Sequence, residues 1–328
     1  MLGLSRKTKV STGASLPVLG FIAAAVVFLV VGSLSSQIFA QQTVAGLAQG
    51  AIYASLALAL VLIYRATEVI NFAQGEMAMA TTYIAYQLTL WHLSFWAAFV
   101  LTMLIAFALG VAVYAVLIRP VQHRSVIALV IVTVGLFILI DGLVTWKWGA
   151  DLKFMPAPFG NHVYHAGGVS FSRQDIGVLL VSILSVILLW ILFQFTKLGL
   201  AMRAAALRPA AASLVGVRVD WMLAIGWGLA AVLGAVAGLM TEASQFLQPT
   251  MMQPILLYAF AAAVLGGLES PAGAVVGGLA LGVFLNLVGQ YVGFATSEVR
   301  LPIAFAVLLV VLLLKPTGLF GRRQVRRV

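Results

Sequence analysis

The sequence predicts an all-α integral membrane protein with about ten transmembrane helices and short cytoplasmic coupling helices. Three observations lead there. Apolar residues make up 63% of the 328 residues and charged residues only 9%, against about 25% charged in a soluble domain. Mean hydropathy is +1.11. The charges gather in short stretches between apolar runs, and a bilayer core of about 30 Å takes about 20 helical residues to cross. No series of roughly ten-residue alternating segments marks a β-barrel.

The runs fall at 16–38, 44–64, 69–90, 95–118, 126–146, 175–195, 219–243, 251–268, 272–292 and 299–314. Residues 1–15 precede them, 16–314 form the membrane domain, and 315–328 form a basic tail. The first run, ending in Ile38-Phe39-Ala40, also loosely resembles a cleavable signal. Polar residues interrupt the third run, and Pro249 and Pro254 the eighth. With both termini cytoplasmic, fifteen of the 19 Lys and Arg lie on the cytoplasmic side. Only Lys147, Lys153, Arg173 and Arg300 lie outside. That asymmetry favours an even number of spans. The same distribution argues against nucleic acid as the partner of a chain with net charge +10. Arg322, Arg323, Arg326 and Arg327 are placed to meet anionic lipid headgroups, at about 1 kcal/mol per charge.

Between the spans, two loops are long. Residues 147–174 hold Lys147, Asp151, Pro156, Pro158, His162, His165 and Gly167-Gly168, an external, turn-rich loop suited to docking an outside partner. Two lone histidines there make no metal site. Residues 196–218 are too basic and too small to span. Ala, Leu, Met and Arg favour helix, Pro209 fits the first turn of a second short helix, and Gly216 can end it with a positive φ. The expected product is either an amphipathic surface helix or a rigid knob gripped by a cytoplasmic subunit. The knob reading points to Arg203, Ala204, Ala205, Arg208, Ala211, Ala212, Leu214 and Gly216.

Glu68-Val-Ile-Asn-Phe-Ala-Gln-Gly-Glu76 places two carboxylates, an Asn and a Gln among apolar runs. Polar groups at membrane depth need a partner or water, so Asn71, Gln74 and Glu76 are pathway candidates. The competing reading makes Asn71 and Glu76 interhelical glue, worth about 1 kcal/mol each. For Glu76 both stay open, and it is also suited to capping a neighbouring short helix. Glu68 is expected to pair with Arg65 at the cytoplasmic edge, and Glu269 with some basic neighbour. Asp141, beside Trp146 and Trp148, reads as structural at the interface. Glu242, with Gln245 and Gln248, reads either as the external mouth of a pathway or as a wetted helix end. The pairs Gly234/Gly238, Gly273/Gly277 and Gly278/Gly282 are spaced for close helix contact.

There is no cysteine, so thiol and disulfide chemistry are excluded. No Gly-x-x-x-x-Gly-Lys-Ser/Thr sequence is available to hold nucleotide phosphates, and no hydrolase arrangement occurs. The chain is therefore not expected to be an enzyme. It is expected to bind no cofactor, so any ATP must be used by separate subunits.

Asn71, Phe72, Gly75 and Glu76, in the order Asn-Phe-x-x-Gly-Glu, resemble a motif of the permeases of ABC importers for branched-chain amino acids (the LivH/LivM type). Leu198–Ala205 with Ala211–Gly216 is similar to that family's coupling segment. Ala261–Leu268, Pro271–Gly278 and Lys315–Phe320 are similar as well, so the resemblance covers about residues 44–320. Two departures stand out. Gln74 replaces a common His, and Leu207-Arg-Pro-Ala210 replaces residues that are often acidic. The resemblance implies a permease subunit in the bacterial inner membrane, paired with a like or unlike second permease. It also implies two ATP-binding subunits inside, a solute-binding protein outside, and an amino acid as solute. Related permeases carry urea or short amides, which leaves the solute open. A stand-alone secondary transporter or channel is the alternative; it would show inverted repeats, and the two halves of this sequence show none.

Overall fold

The structure, a computed structural model, describes residues 36–122, 124–160, 162–166, 169–293 and 298–321. The expected cytoplasmic start, most of the first span, with its signal-like alternative, and the four tail arginines lie outside the described residues.

Eleven helices and one hairpin are found among the described residues. In chain order they are α1 (Ser36–Thr67), α2 (Gln74–Leu90), α3 (Phe95–Val113), which runs on through a π turn at Tyr114–Ile118, and α4 (Val126–Trp148). Then come β1 (Val163–Ala166) and β2 (Val169–Ser172), α5 (Arg173–Phe195), α6 (Lys197–Leu207) and α7 (Pro209–Leu214). The last four are α8 (Val219–Ser244), α9 (Met252–Gly266), α10 (Pro271–Tyr291) and α11 (Arg300–Leu314). Among the described residues, six helices are long and apolar enough to cross a membrane: α1, α3 with its π turn, α4, α5, α8 and α10.

Short side chains with hydroxyls set several helix starts. Ser94, Ser125, Ser172, Thr196 and Ser270 each accept a hydrogen bond from a backbone N–H of the first turn that follows. Pro271 then occupies the first position of α10. Gly149 (φ 78°) and Gly267 (φ 106°) stop α4 and α9 with backbone that other residues rarely adopt.

Three expectations need correction. The run 69–90 is helical only from Gln74, because residues 69–73 form a connection, with Val69, Asn71 and Ala73 buried and Phe72 exposed, rather than the start of a helix. The runs 251–268 and 299–314 yield apolar helices of 15 residues, about 22 Å long and shorter than the six above. The loop 147–174 contains an antiparallel hairpin that pairs Val163 with Ser172 and Tyr164 with Phe171, so the chain is mostly rather than wholly helical.

Helices α1 and α8 form the buried centre, whereas α4 and α5 lie outermost. The α1–α10 contact is antiparallel and lined with small residues. A Cβ on Gly50 would come within 2.9 Å of the Gly278 carbonyl oxygen, and one on Gly278 within 2.5 Å of the Ala54 backbone. Gly273 and Gly277 pack in the same way on Gly266 and Ala262 of α9, and Gly234 and Gly238 on α2. The glycine spacing in the sequence thus corresponds to three distinct helix contacts.

The antiparallel order brings Arg65, Arg119, Arg203, Arg218 and Lys315 to one end of the bundle. There Arg119 pairs with Asp220 at 2.6 Å. Both are exposed, so the pair is worth under about 1 kcal/mol. Arg65 lies in the field of Arg203 and Glu269. The expected Arg65–Glu68 pair does not form: Glu68 is exposed, held at φ 56° just past the end of α1. The segment 315–321 closes this end. Leu319 and Phe320 donate to the carbonyls of Leu265 and Gly266 at 2.8 and 3.0 Å.

Candidate functional site

The polar motif folds into a junction inside the bundle. Asn71 Oδ1 accepts from the Ala73 N–H at 3.1 Å, turning the chain into α2. Asn71 Nδ2 donates to Gln74 Oε1 at 3.1 Å, and Gln74 Nε2 donates to the Ala230 carbonyl of α8 at 2.9 Å. Gly234 leaves the space this amide needs, since a Cβ there would lie 2.8 Å from Gln74 Nε2. Asn71 and Gln74 therefore tie α2 to α8. Ala230 lies eleven residues into α8, about 16 Å from its start. Helix α2 thus begins near mid-depth instead of at the surface.

Helix α9 begins at the same level. A Cβ on Gly75 would meet Leu256 at 3.2 Å and the Met252 carbonyl at 3.4 Å. Two helix starts therefore converge, and neither Ala73 nor Met251 supplies a side-chain cap. Each start carries partial positive charge from its free N–H groups. Glu76 sits between them, 0% exposed. Gln253, in the first turn of α9, and Asp141 of α4 are the polar side chains that act on it. No hydrogen bond of good geometry closes on either Glu76 oxygen among the described residues. Glu76 thus lies beside the first turn of α9 without closing a cap on it.

Asp141 lies about two turns inside the end of α4, deeper than the interface position expected of it. Its Oδ1 is buried without a hydrogen-bond partner among the described residues. From the sequence alone Asp141 reads as structural and Gln253 carries no site signal. The available signal was an acidic residue inside an apolar run, but nothing local links residue 141 to residue 76.

Glu242 does not line an open mouth. It is 4% exposed, and its Oε1 accepts from the Met155 N–H at 3.0 Å. Gln174 Nε2 donates to the Ala243 carbonyl at 2.7 Å, and Lys153 bridges to Leu247. Glu242 thus holds the loop after α4 against the end of α8. His165 Nδ1 lies 2.8 Å from Ser170 Oγ in the hairpin, beside the His162–Tyr164 ring contact.

At the basic end, α6 and α7 form a compact projection. Pro209 takes the first helical position of α7, and Gly216 follows at φ 85°, as the sequence predicts. Leu207, Leu214 and Val215 are exposed at 70%, 88% and 78%. Arg208, Ala211 and Gly216 are exposed with them. Ala205 and Ala212 are buried and cannot touch a partner. Ala204 is half-buried. Arg203 turns inward, with its Nη1 on Gln194 Oε1 at 3.3 Å. Beside the projection, a groove of about 530 Å³ is lined by Tyr114, Arg119, Ser213, Val217 and Trp221. The π turn forms one wall of that groove.

Residues 42–313 match the family described as branched-chain amino acid transport system / permease component. The chain belongs to that family. The permease is 32% identical over 305 residues to the high-affinity branched-chain amino acid transport system permease protein LivH of Escherichia coli (strain K12), covering 88% of this chain and 98% of the relative. It is 31% identical over 308 residues to the corresponding protein BraD of Pseudomonas aeruginosa, with the same two coverages. A probable branched-chain amino acid transport permease protein LivH of Methanocaldococcus jannaschii is 30% identical over 280 residues, 81% of this chain and 87% of that one. Both the junction and the projection of the permease lie within the matched span. Replacing Gln74 by Leu is expected to remove two of the permease's buried hydrogen bonds. The expected cost is about 1–2 kcal/mol, read as a lower thermal midpoint in detergent. An unchanged midpoint would remove Gln74 from the α2–α8 tie.

Proposed function

We propose that this permease carries a branched-chain or other amino acid across the bacterial inner membrane, with ATP hydrolysed by separate subunits. The observation that carries the division of labour is the exposed apolar rim of Leu207, Leu214 and Val215 on a basic projection. A solvated surface helix gains nothing from apolar side chains at 70–88% exposure, whereas a contact surface does. Two ATP-binding subunits grip this rim and the neighbouring groove. A second permease, like or unlike, completes the pathway, and a binding protein outside delivers the solute. In this reading both termini are cytoplasmic, the membrane-crossing segments number about ten, and the basic tail meets anionic lipid. The chain itself binds no cofactor or metal.

Glu76 is the residue of the junction assigned to the transport cycle. It is buried at two helix starts with Gln253 and the like-charged Asp141 acting on it, so a change in their spacing changes its energy directly. Glu76→Gln is expected to lower uptake in proteoliposomes about tenfold while moving the thermal midpoint by less than about 4 °C. A variant with lowered stability but normal uptake assigns Glu76 to packing.

Copurification tests the whole reading. The permease should retain ATP-binding subunits through gentle extraction, and uptake should stop without ATP. Solute uptake by this chain alone, without nucleotide, is the result that overturns it.

A further inference from the structure

A second groove, of about 860 Å³, lies between α5 and α10 over the last turns of α1. Its walls are apolar, with Ile187 and Trp190 from α5 and Val276 from α10. All three are exposed, so the groove opens on the flank of the bundle, away from its packed centre. Its floor is polar and lies at the basic end, where Arg65, Arg203 and Gln194 meet a single carboxylate of the lining, Glu269. The two guanidiniums oppose each other. Arg203 spends Nη1 on Gln194, while its buried Nε–H has no acceptor among the described residues.

We propose that this groove seats one anionic phospholipid. The phosphate accepts from Arg203 Nε–H and balances Arg65, and the acyl chains lie along Trp190 and Val276. Basic pockets between membrane helices favour such headgroups, and a guanidinium binds phosphate through paired donors. Charge separates this occupant from the rivals. The chain carries a net charge of +10. A second copy docked here would bring the same arginines together. A zwitterionic lipid would leave the positive excess unmatched. The seat is independent of which solute the permease carries.

The test uses the full-length chain in nanodiscs of equal phosphatidylglycerol and phosphatidylcholine, extracted gently, with retained lipid identified by native mass spectrometry. Phosphatidylglycerol should be retained in preference. Arg203→Gln should cut that preference about five-fold, the weight of one guanidinium near an anionic headgroup. Val276→Trp should lower it by crowding the wall where the acyl chains lie, with every charge intact. It also keeps the test decisive if Arg203→Gln fails to fold. Arg124→Gln, at an exposed residue in a separate loop, should leave the preference unchanged. Equal retention of both lipids, or a preference surviving both groove variants, overturns the proposal. So does displacement of the lipid by millimolar inorganic phosphate, which reassigns the seat to a soluble anion. Disulfide formation between copies carrying Val276→Cys overturns it in favour of a permease contact.

Discussion

A permease carrying both Leu214→Asp and Val215→Asp is expected to insert and fold normally and to lose its ATP-hydrolysing partners. Both side chains project from the end of α7 at 88% and 78% exposure, so neither supports the fold of the chain. In a complex each would leave water. Full burial of a Leu or Val side chain contributes roughly 1.5–3 kcal/mol. Losing both and adding two desolvated carboxylates should weaken association at least about a hundredfold. A pull-down with tagged permease reads the loss, and ATP-driven uptake should fall to background. The nearby Ala212→Asp change serves as a contrast. Ala212 is 4% exposed, so that variant should lower stability first. Retained ATPase binding in the double variant would mean that the partner sits elsewhere.

Gly278→Leu is expected to abolish the folded permease. The new side chain would be driven into the Ala54 backbone, whose N and Cα lie 2.5 Å from the added Cβ. Backbone cannot swing aside as a side-chain tip can, so α1 and α10 must separate along their whole contact. Overpacking ordinarily costs 1–3 kcal/mol, and a backbone clash at a helix crossing belongs at or above about 3 kcal/mol. That is a large part of the roughly 5–15 kcal/mol that stabilises a typical domain. Size-exclusion chromatography should show aggregate in place of a monodisperse peak. Gly135→Leu on α4 is the matched control, because a Cβ there meets nothing within 4 Å. It should leave the thermal midpoint unchanged or slightly raised, since Leu favours helix over Gly by about 0.8 kcal/mol. A Gly278→Leu protein that behaves like the control would disprove close α1–α10 packing.

What the sequence reveals and what it hides follow from the range of the forces involved. The short helix at Pro209 and its stop at Gly216 depend on local backbone preference, and both are legible. The three glycine pairs are legible as contacts, although not which helix each one meets. The start of α2 is not legible, because residues 69–73 are apolar apart from Asn71 and no capping side chain stands at Ala73. Its depth is set by a hydrogen bond from Gln74 to Ala230, far along the chain. The Glu76–Asp141–Gln253 grouping is hidden for the same reason. Arg65 has a carboxylate three residues away in sequence, yet it lies in the field of Glu269, because α10 folds back beside α1 while Glu68 turns outward.

The Gln74–Ala230 bond spans 156 residues of sequence. At a synthesis rate of about 5–20 residues per second, roughly 10–30 s pass between the two residues leaving the ribosome. Through that interval Gln74 lacks its acceptor on α8, and α2 lacks the bond that holds its start at mid-depth. Biogenesis must therefore keep α1 and α2 sheltered at the insertion machinery until α8 emerges.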